Sequence, residues 1–147
     1  MSLEEIKAAI PHREPFLLID EIVERGEARI VCRKRFTGDE FWYRGHYPHF
    51  PITPGVLLCE AAMQAGAVLL SAALKNSSDP FFTGAVPVAT RANNVQFKKM
   101  VLPGDTIEIE VDLVERVASA FFMKARVTSG GKVASCVSTW SSSPRSG

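Results

Sequence analysis

The chain has 147 residues, a length that favours one domain, 1–147, with a substantial core. Apolar residues make up 46% and charged residues 22%, as in an ordinary soluble globular protein, and the net charge of +1 gives no strong attraction to nucleic acid or an anionic membrane. The three cysteines, Cys32, Cys59 and Cys136, are odd in number and far apart, which excludes a disulfide framework or zinc spacing and predicts reduced, buried thiols in a cytosolic protein.

The N-terminus MSLEEIKAAI carries acids where a signal peptide needs a basic start, so no targeting segment is expected. Residues 3–10 predict a short helix with Ser2 as its cap and Glu5 three residues on. Residues 16–23 and 28–36 flank a turn containing Gly26 and predict a hairpin, with Arg33, Lys34 and Arg35 on a solvated face. An irregular loop follows, stiffened by Pro48, Pro51 and Pro54. Pro54-Gly55 then opens a helix over residues 56–74 that is apolar nearly all round, which places it centrally in a soluble domain. A membrane span is disfavoured, because Glu60, Gln64 and Ser71 would sit in hydrocarbon and an acid there costs about 2.5–3.5 kcal/mol. The segment Asn76-Ser77-Ser78-Asp79-Pro80 is expected to end the helix.

Most of the remainder reads as strand. Residues 86–89 and 94–100 are two candidates, and PGD at 103–105 turns the chain into TIEIEVDL. In that segment Ile107, Ile109, Val111 and Leu113 alternate with Glu108, Glu110 and Asp112, the pattern of a strand with one wet face. Residues 120–128 and 132–140 flank Ser129-Gly130-Gly131 and predict a second hairpin. The tail, from about residue 142, reads as frayed. The order of elements predicts an α+β fold, a mostly antiparallel sheet around one buried helix.

A buried helix has no use for an unpartnered carboxylate, which is costly and tends to become neutral. Glu60 is therefore either a hydrogen-bonded acid near a helix start, favoured there by the dipole, or a functional group. His46 lies just upstream, mounted in the proline-rich loop, a suitable base for a side chain that must be aimed. His12 and His49 read as structural or exposed histidines. A histidine and a glutamate are the minimum set for taking a proton from carbon and giving one to a departing hydroxyl. The N-terminus of the helix, with Gly55 leaving room for approach, adds backbone N–H groups that polarise a carbonyl. No metal cluster, nucleophile elbow or phosphate-binding glycine loop competes with this constellation.

The segment GHYPHFPITPGVLLCEAAMQ, residues 45–64, resembles the GHFPxxPxxPGVLxxEAxAQ signature of bacterial 3-hydroxyacyl-[acyl-carrier-protein] dehydratases of the FabZ type. Upstream, PHREPFLLID resembles that family's PHRxPFLLVD, and downstream FKKMVLPGD resembles its FRxPVxPGD. The resemblance implies a hot-dog fold, a homodimer as minimal active unit, hexamers as trimers of dimers, and an active site at the dimer interface. Carried over by position, His46 and Glu60 are the catalytic pair, Gly55 supplies the N–H that polarises the thioester carbonyl, and Gln64 supports Glu60 from one helical turn away. The implied partner is acyl carrier protein, an acidic protein that Arg91, Lys98 and Lys99 are expected to meet. No cofactor or metal is implied, and the setting is cytoplasmic fatty acid synthesis. Departures from the signature, namely Trp42, Tyr43, His49, Phe50 and Thr53, are expected around the substrate entrance and leave acyl length open. Two rival functions remain on sequence grounds, a hot-dog acyl thioesterase and a non-catalytic acyl-thioester binder, because one fold hosts many functions.

Overall fold

The computed structural model describes residues 3–75, 85–118 and 120–146. A short helix, α1 (Leu3–Ala9), leads into the hairpin β1 (Glu21–Arg25) and β2 (Arg29–Arg35), closed where the Gly26 N–H donates to the Arg29 carbonyl at 2.7 Å. A single 3-10 turn (Phe41–Arg44) and the proline-rich loop precede the long helix α2 (Gly55–Lys75). Four strands follow: β3 (Ala85–Phe97), β4 (Thr106–Val117), β5 (Ala120–Ser129) and β6 (Lys132–Ser146).

The strands form one antiparallel sheet in the order β1-β2-β4-β5-β6-β3. The α2 helix packs against β2 through β6, so the sheet wraps around it. The alternation in β4 explains the packing: Ile107, Ile109 and Val111 are buried, while Glu108, Glu110 and Asp112 lie on the opposite face. Those acids meet the basic residues of neighbouring strands, with Glu108 on Arg33 at 3.0 Å, Glu110 on Arg126 at 3.0 Å and Asp112 on Arg29 at 3.3 Å. Gly130 and Gly131, at φ 59° and 76°, supply the left-handed pair that a tight β5–β6 hairpin requires.

On α2, Ala61, Ala62, Ala65, Val68, Leu69 and Leu70 are buried, as expected for a central helix. The helix is long and apolar enough to cross a membrane, but the sheet covers it. Its buried polar side chains are satisfied: Ser71 Oγ donates to the Val68 carbonyl at 2.7 Å, and Gln64 uses both ends of its amide.

The structure corrects several sequence-based expectations. Strand β1 begins at Glu21, and the stretch from Phe16 to Asp20 is irregular, with its Asp20 N–H bonded to the Arg33 carbonyl. The two candidates at 86–89 and 94–100 fall on one strand, β3, which ends at Phe97 and leaves 98–100 outside it, with a register shift between Ala89 and Arg91. The tail is not frayed through residue 146, because the long β3 offers pairing partners as far as Ala85, opposite Ser146. The expected Ser2 cap and the helix terminator at 76–80 lie outside the described residues.

Candidate active site

The proline-rich loop is braced from below. Trp42 and Tyr43 are buried, and the Tyr43 hydroxyl meets Thr53 Oγ1 at 2.7 Å in the interior. The Thr53 N–H donates to the Val101 carbonyl at 2.8 Å, tying the end of the loop to the segment before β4. Trp42, Tyr43 and Thr53 are therefore buried in this brace, Thr53 also bordering the cleft of His46, whereas His49 and Phe50 are exposed. Trp42 and Tyr43 are placed by their large apolar rings, and Thr53 is tolerated inside because its hydroxyl is paired with Tyr43.

His46 stands on this brace. Its backbone N–H donates to the Trp42 carbonyl at 3.0 Å, and its Nδ1 lies 2.9 Å from the Ile52 carbonyl oxygen. A carbonyl only accepts, so Nδ1 carries the proton and Nε2 is left with a free lone pair. Tyr47, next in sequence, has a φ of 52° and packs edge-on against the His46 ring at 4.9 Å. A left-handed tyrosine costs energy that the surrounding loop must offset, and such strain concentrates at working sites.

Gly55 is the first residue of α2, where backbone N–H groups have no partner within the helix. A Cβ there would lie 2.7 Å from Phe97 Cδ1 and 2.8 Å from Cε1, so a side chain at residue 55 is incompatible with the ring at the end of β3. His46 and Gly55 line one cleft of about 520 Å³ together with Thr53, Phe97, Lys98 and Lys99.

Glu60 lines a different cleft, of about 370 Å³, with Gln64, His12 and mostly apolar neighbours. Gln64 is clamped: its Oε1 accepts the Leu18 N–H at 2.8 Å and its Nε2 donates to the Phe16 carbonyl at 2.8 Å. The same Nε2 donates to Glu60 Oε1 at 3.1 Å, so one carboxylate oxygen is held and the other remains available. His12 Nε2 stands 3.6 Å from that held oxygen, an electrostatic neighbour rather than a hydrogen-bond partner. The reading of His12 as a bystander thus misses its place beside the acid; the only signal in the sequence was its position in the PHREPF segment.

Within one chain, then, the structure joins Glu60 to Gln64 and His46 to Gly55, but leaves the two pairs in separate clefts. Lys98 and Lys99 border the His46 cleft, with Lys99 Nζ donating to the Ser129 carbonyl at 2.9 Å. Arg91 is exposed on β3, six residues and so roughly 20 Å along the strand from Phe97, which directly precedes the lysines. Among the described residues, no group of three or more His, Cys, Asp and Glu side chains is placed to hold a metal ion.

Residues 10–137 match the family model for the FabA-like domain. The chain belongs to the FabA-like family. It is 43% identical over 134 residues to the 3-hydroxyacyl-[acyl-carrier-protein] dehydratase FabZ of Clostridium perfringens, an alignment covering 91% of this chain and 92% of the relative. It is 37% identical over 134 residues to the Streptococcus pyogenes dehydratase of the same name, again covering 91% and 92%. Among solved structures, the dehydratase heterocomplex ApeI:P of Xenorhabdus doucetiae contains a chain that superposes with a TM-score of 0.75 at 15% identity, covering 95% of this chain and 90% of that one. A hypothetical thioesterase from Streptococcus pneumoniae, solved with coenzyme A, superposes with a TM-score of 0.61 at 13% identity, over 86% and 88% of the two chains. At those identities the likeness shows the fold alone, and the fold of this FabA-like chain is the hot-dog fold expected from its sequence. His46, Gly55, Glu60 and Gln64 all lie within the matched residues 10–137.

Proposed function

We propose that this chain, as one hot-dog domain, is a 3-hydroxyacyl-[acyl-carrier-protein] dehydratase whose active site is completed between two copies. The reading rests most on Glu60, a carboxylate held by Gln64 in an otherwise apolar cleft, in a chain whose relatives carry that name. The substrate is a 3-hydroxyacyl thioester. His46 Nε2 takes a proton from C2, and the electron pair moves onto the thioester oxygen, where the Gly55 N–H at the start of α2 stabilises the charge. As that pair returns to form the C2–C3 double bond, the C3 hydroxyl leaves with a proton from Glu60. The products are the trans-2-enoyl thioester and water. A proton returned from His46 to Glu60 resets the pair.

Glu60 enters the step as the acid, because it is the group that gives a proton to the departing hydroxyl. Separation of the two pairs within one chain supports a shared site, His46 from one protomer facing Glu60 of a second. The β3 strand supports the same arrangement: it ends the sheet, runs 13 residues, and exposes Val88 and Phe97. A long edge strand of that kind is a template for pairing with another chain. We take a homodimer as the minimal active unit, either alone or as one of three in a hexamer, in the cytoplasm. Lys98 and Lys99, at the His46 cleft, meet the acidic carrier, with Arg91 as a more distant contact.

Purified protein is incubated with a 3-hydroxybutanoyl carrier thioester, and enoyl formation and free thiol are followed separately. Enoyl product, lost about 10²–10⁴-fold in His46→Ala and in Glu60→Ala, is the expected result. Thiol release without enoyl product would instead indicate a thioesterase, and binding with neither signal a non-catalytic acyl binder.

A further inference from the structure

We infer that Trp140 is the end wall of the acyl channel and restricts the enzyme to short- and medium-chain 3-hydroxyacyl thioesters. The inference rests on the dehydratase reading for the identity of the head group, and on the cavity itself for the tail. The Glu60 cleft is bordered on α2 by Glu60, Met63 and Ala67, at spacings of three and seven residues, so it follows one face of the helix away from the acid. The same cleft is lined by Val88 and Ala89 of β3 and by Trp140 on β6.

That indole is fixed. Trp140 is 1% exposed, and Gly66 is what lets it reach the helix, since a Cβ at residue 66 would lie 2.6 Å from Trp140 Cζ2. Met123 Sδ closes in on the same point, at 3.2 Å from that Cβ position. A large rigid ring is thus seated on bare helix backbone, six residues beyond Glu60, which is about 9 Å along the axis. An acyl chain with its C3 hydroxyl at Glu60 and its tail along this face meets the indole within two helical turns. A smaller residue at 140, or a larger one at 67, would change the length of chain that fits.

The test measures affinity for saturated alkyl chains of increasing length on pantetheine, joined by a non-hydrolysable thioether. In the wild-type protein the gain in affinity per methylene should stop at a medium chain. Trp140→Ala should move that plateau several methylenes further and tighten the longest chain at least tenfold. Trp140→Met should move it in the same direction while keeping most of the volume, which guards against an unfolded alanine variant. Ala67→Leu, acting from the helix side, should move the plateau to shorter chains. The inference is overturned if the folded variants leave the plateau in place, if wild-type affinity rises through the longest chain, or if no chain binds. Enoyl formation from 3-hydroxybutanoyl thioester is assayed in parallel on the wild type: its absence would sink the dehydratase reading while leaving the chain-length result to stand or fall separately.

Discussion

Gln64 carries three hydrogen bonds from one buried amide: it accepts from Leu18, and it donates to Phe16 and to Glu60. Replacing it by leucine strands the Leu18 N–H and the Phe16 carbonyl. The expected loss is about 1–3 kcal/mol of stability, read by denaturant unfolding. The same variant frees Glu60 to rotate, so kcat should fall more than KM rises. Tyr43 and Thr53 form a second buried pair. Tyr43→Phe and Thr53→Val should each cost about 1–3 kcal/mol, and the double variant less than their sum, because no partner is then left unsatisfied. Cys32 offers a third check. Burial pushes its thiol up to about 12, against the opposing pull of Arg25. At about pH 8 it stays protonated and shielded, so a thiol reagent should reach it only after unfolding; rapid native labelling at residue 32 would contradict this placement. At this scale the motif residues were legible because they lie close together in sequence, around one loop and one helix start. His12 was not, because its neighbour Glu60 is brought near only by the docking of the segment after α1 onto α2.

Among the elements, α2 and the two hairpins were legible because each announces itself locally: an apolar run opened by Pro54-Gly55, strict alternation in β4, and glycine turns. The full lengths of β3 and β6 were not. Asn94 sits at a φ of 51° and the β3 register shifts near residue 90, so its alternation is broken, while the serines of the β6 end carry little strand signal. Both become strand because each supplies the other's hydrogen bonds, a long-range effect that no local window contains. The Gly66 contact is also long-range: α2 approaches β6 there without an intervening Cβ. Gly66→Ala gains helix propensity but drives a methyl into Trp140 and Met123, and overpacking should win, for a net loss of about 1–3 kcal/mol in thermal or denaturant unfolding. A variant as stable as the wild type would mean that the indole moves freely.

At the scale of the whole molecule, the proposed association with a carrier and with a second copy turns on charge and on the exposed edge of β3. If Lys98 and Lys99 meet an acidic carrier, affinity should fall as ionic strength rises, and Lys98→Glu should weaken association more than Arg91→Glu, which lies farther from the cleft. Equal affinity at low and high salt would remove that role. The central claim is that His46 and Glu60 act together only across two copies. It is tested most directly by mixing two inactive proteins, His46→Ala and Glu60→Ala, under conditions that let subunits exchange. In a mixed dimer one site receives both substitutions and the other receives neither, so random exchange should restore about a quarter of wild-type enoyl formation. Exchange demonstrated by a tag on one variant, with no recovered activity, would place both residues in one chain's site and contradict the account.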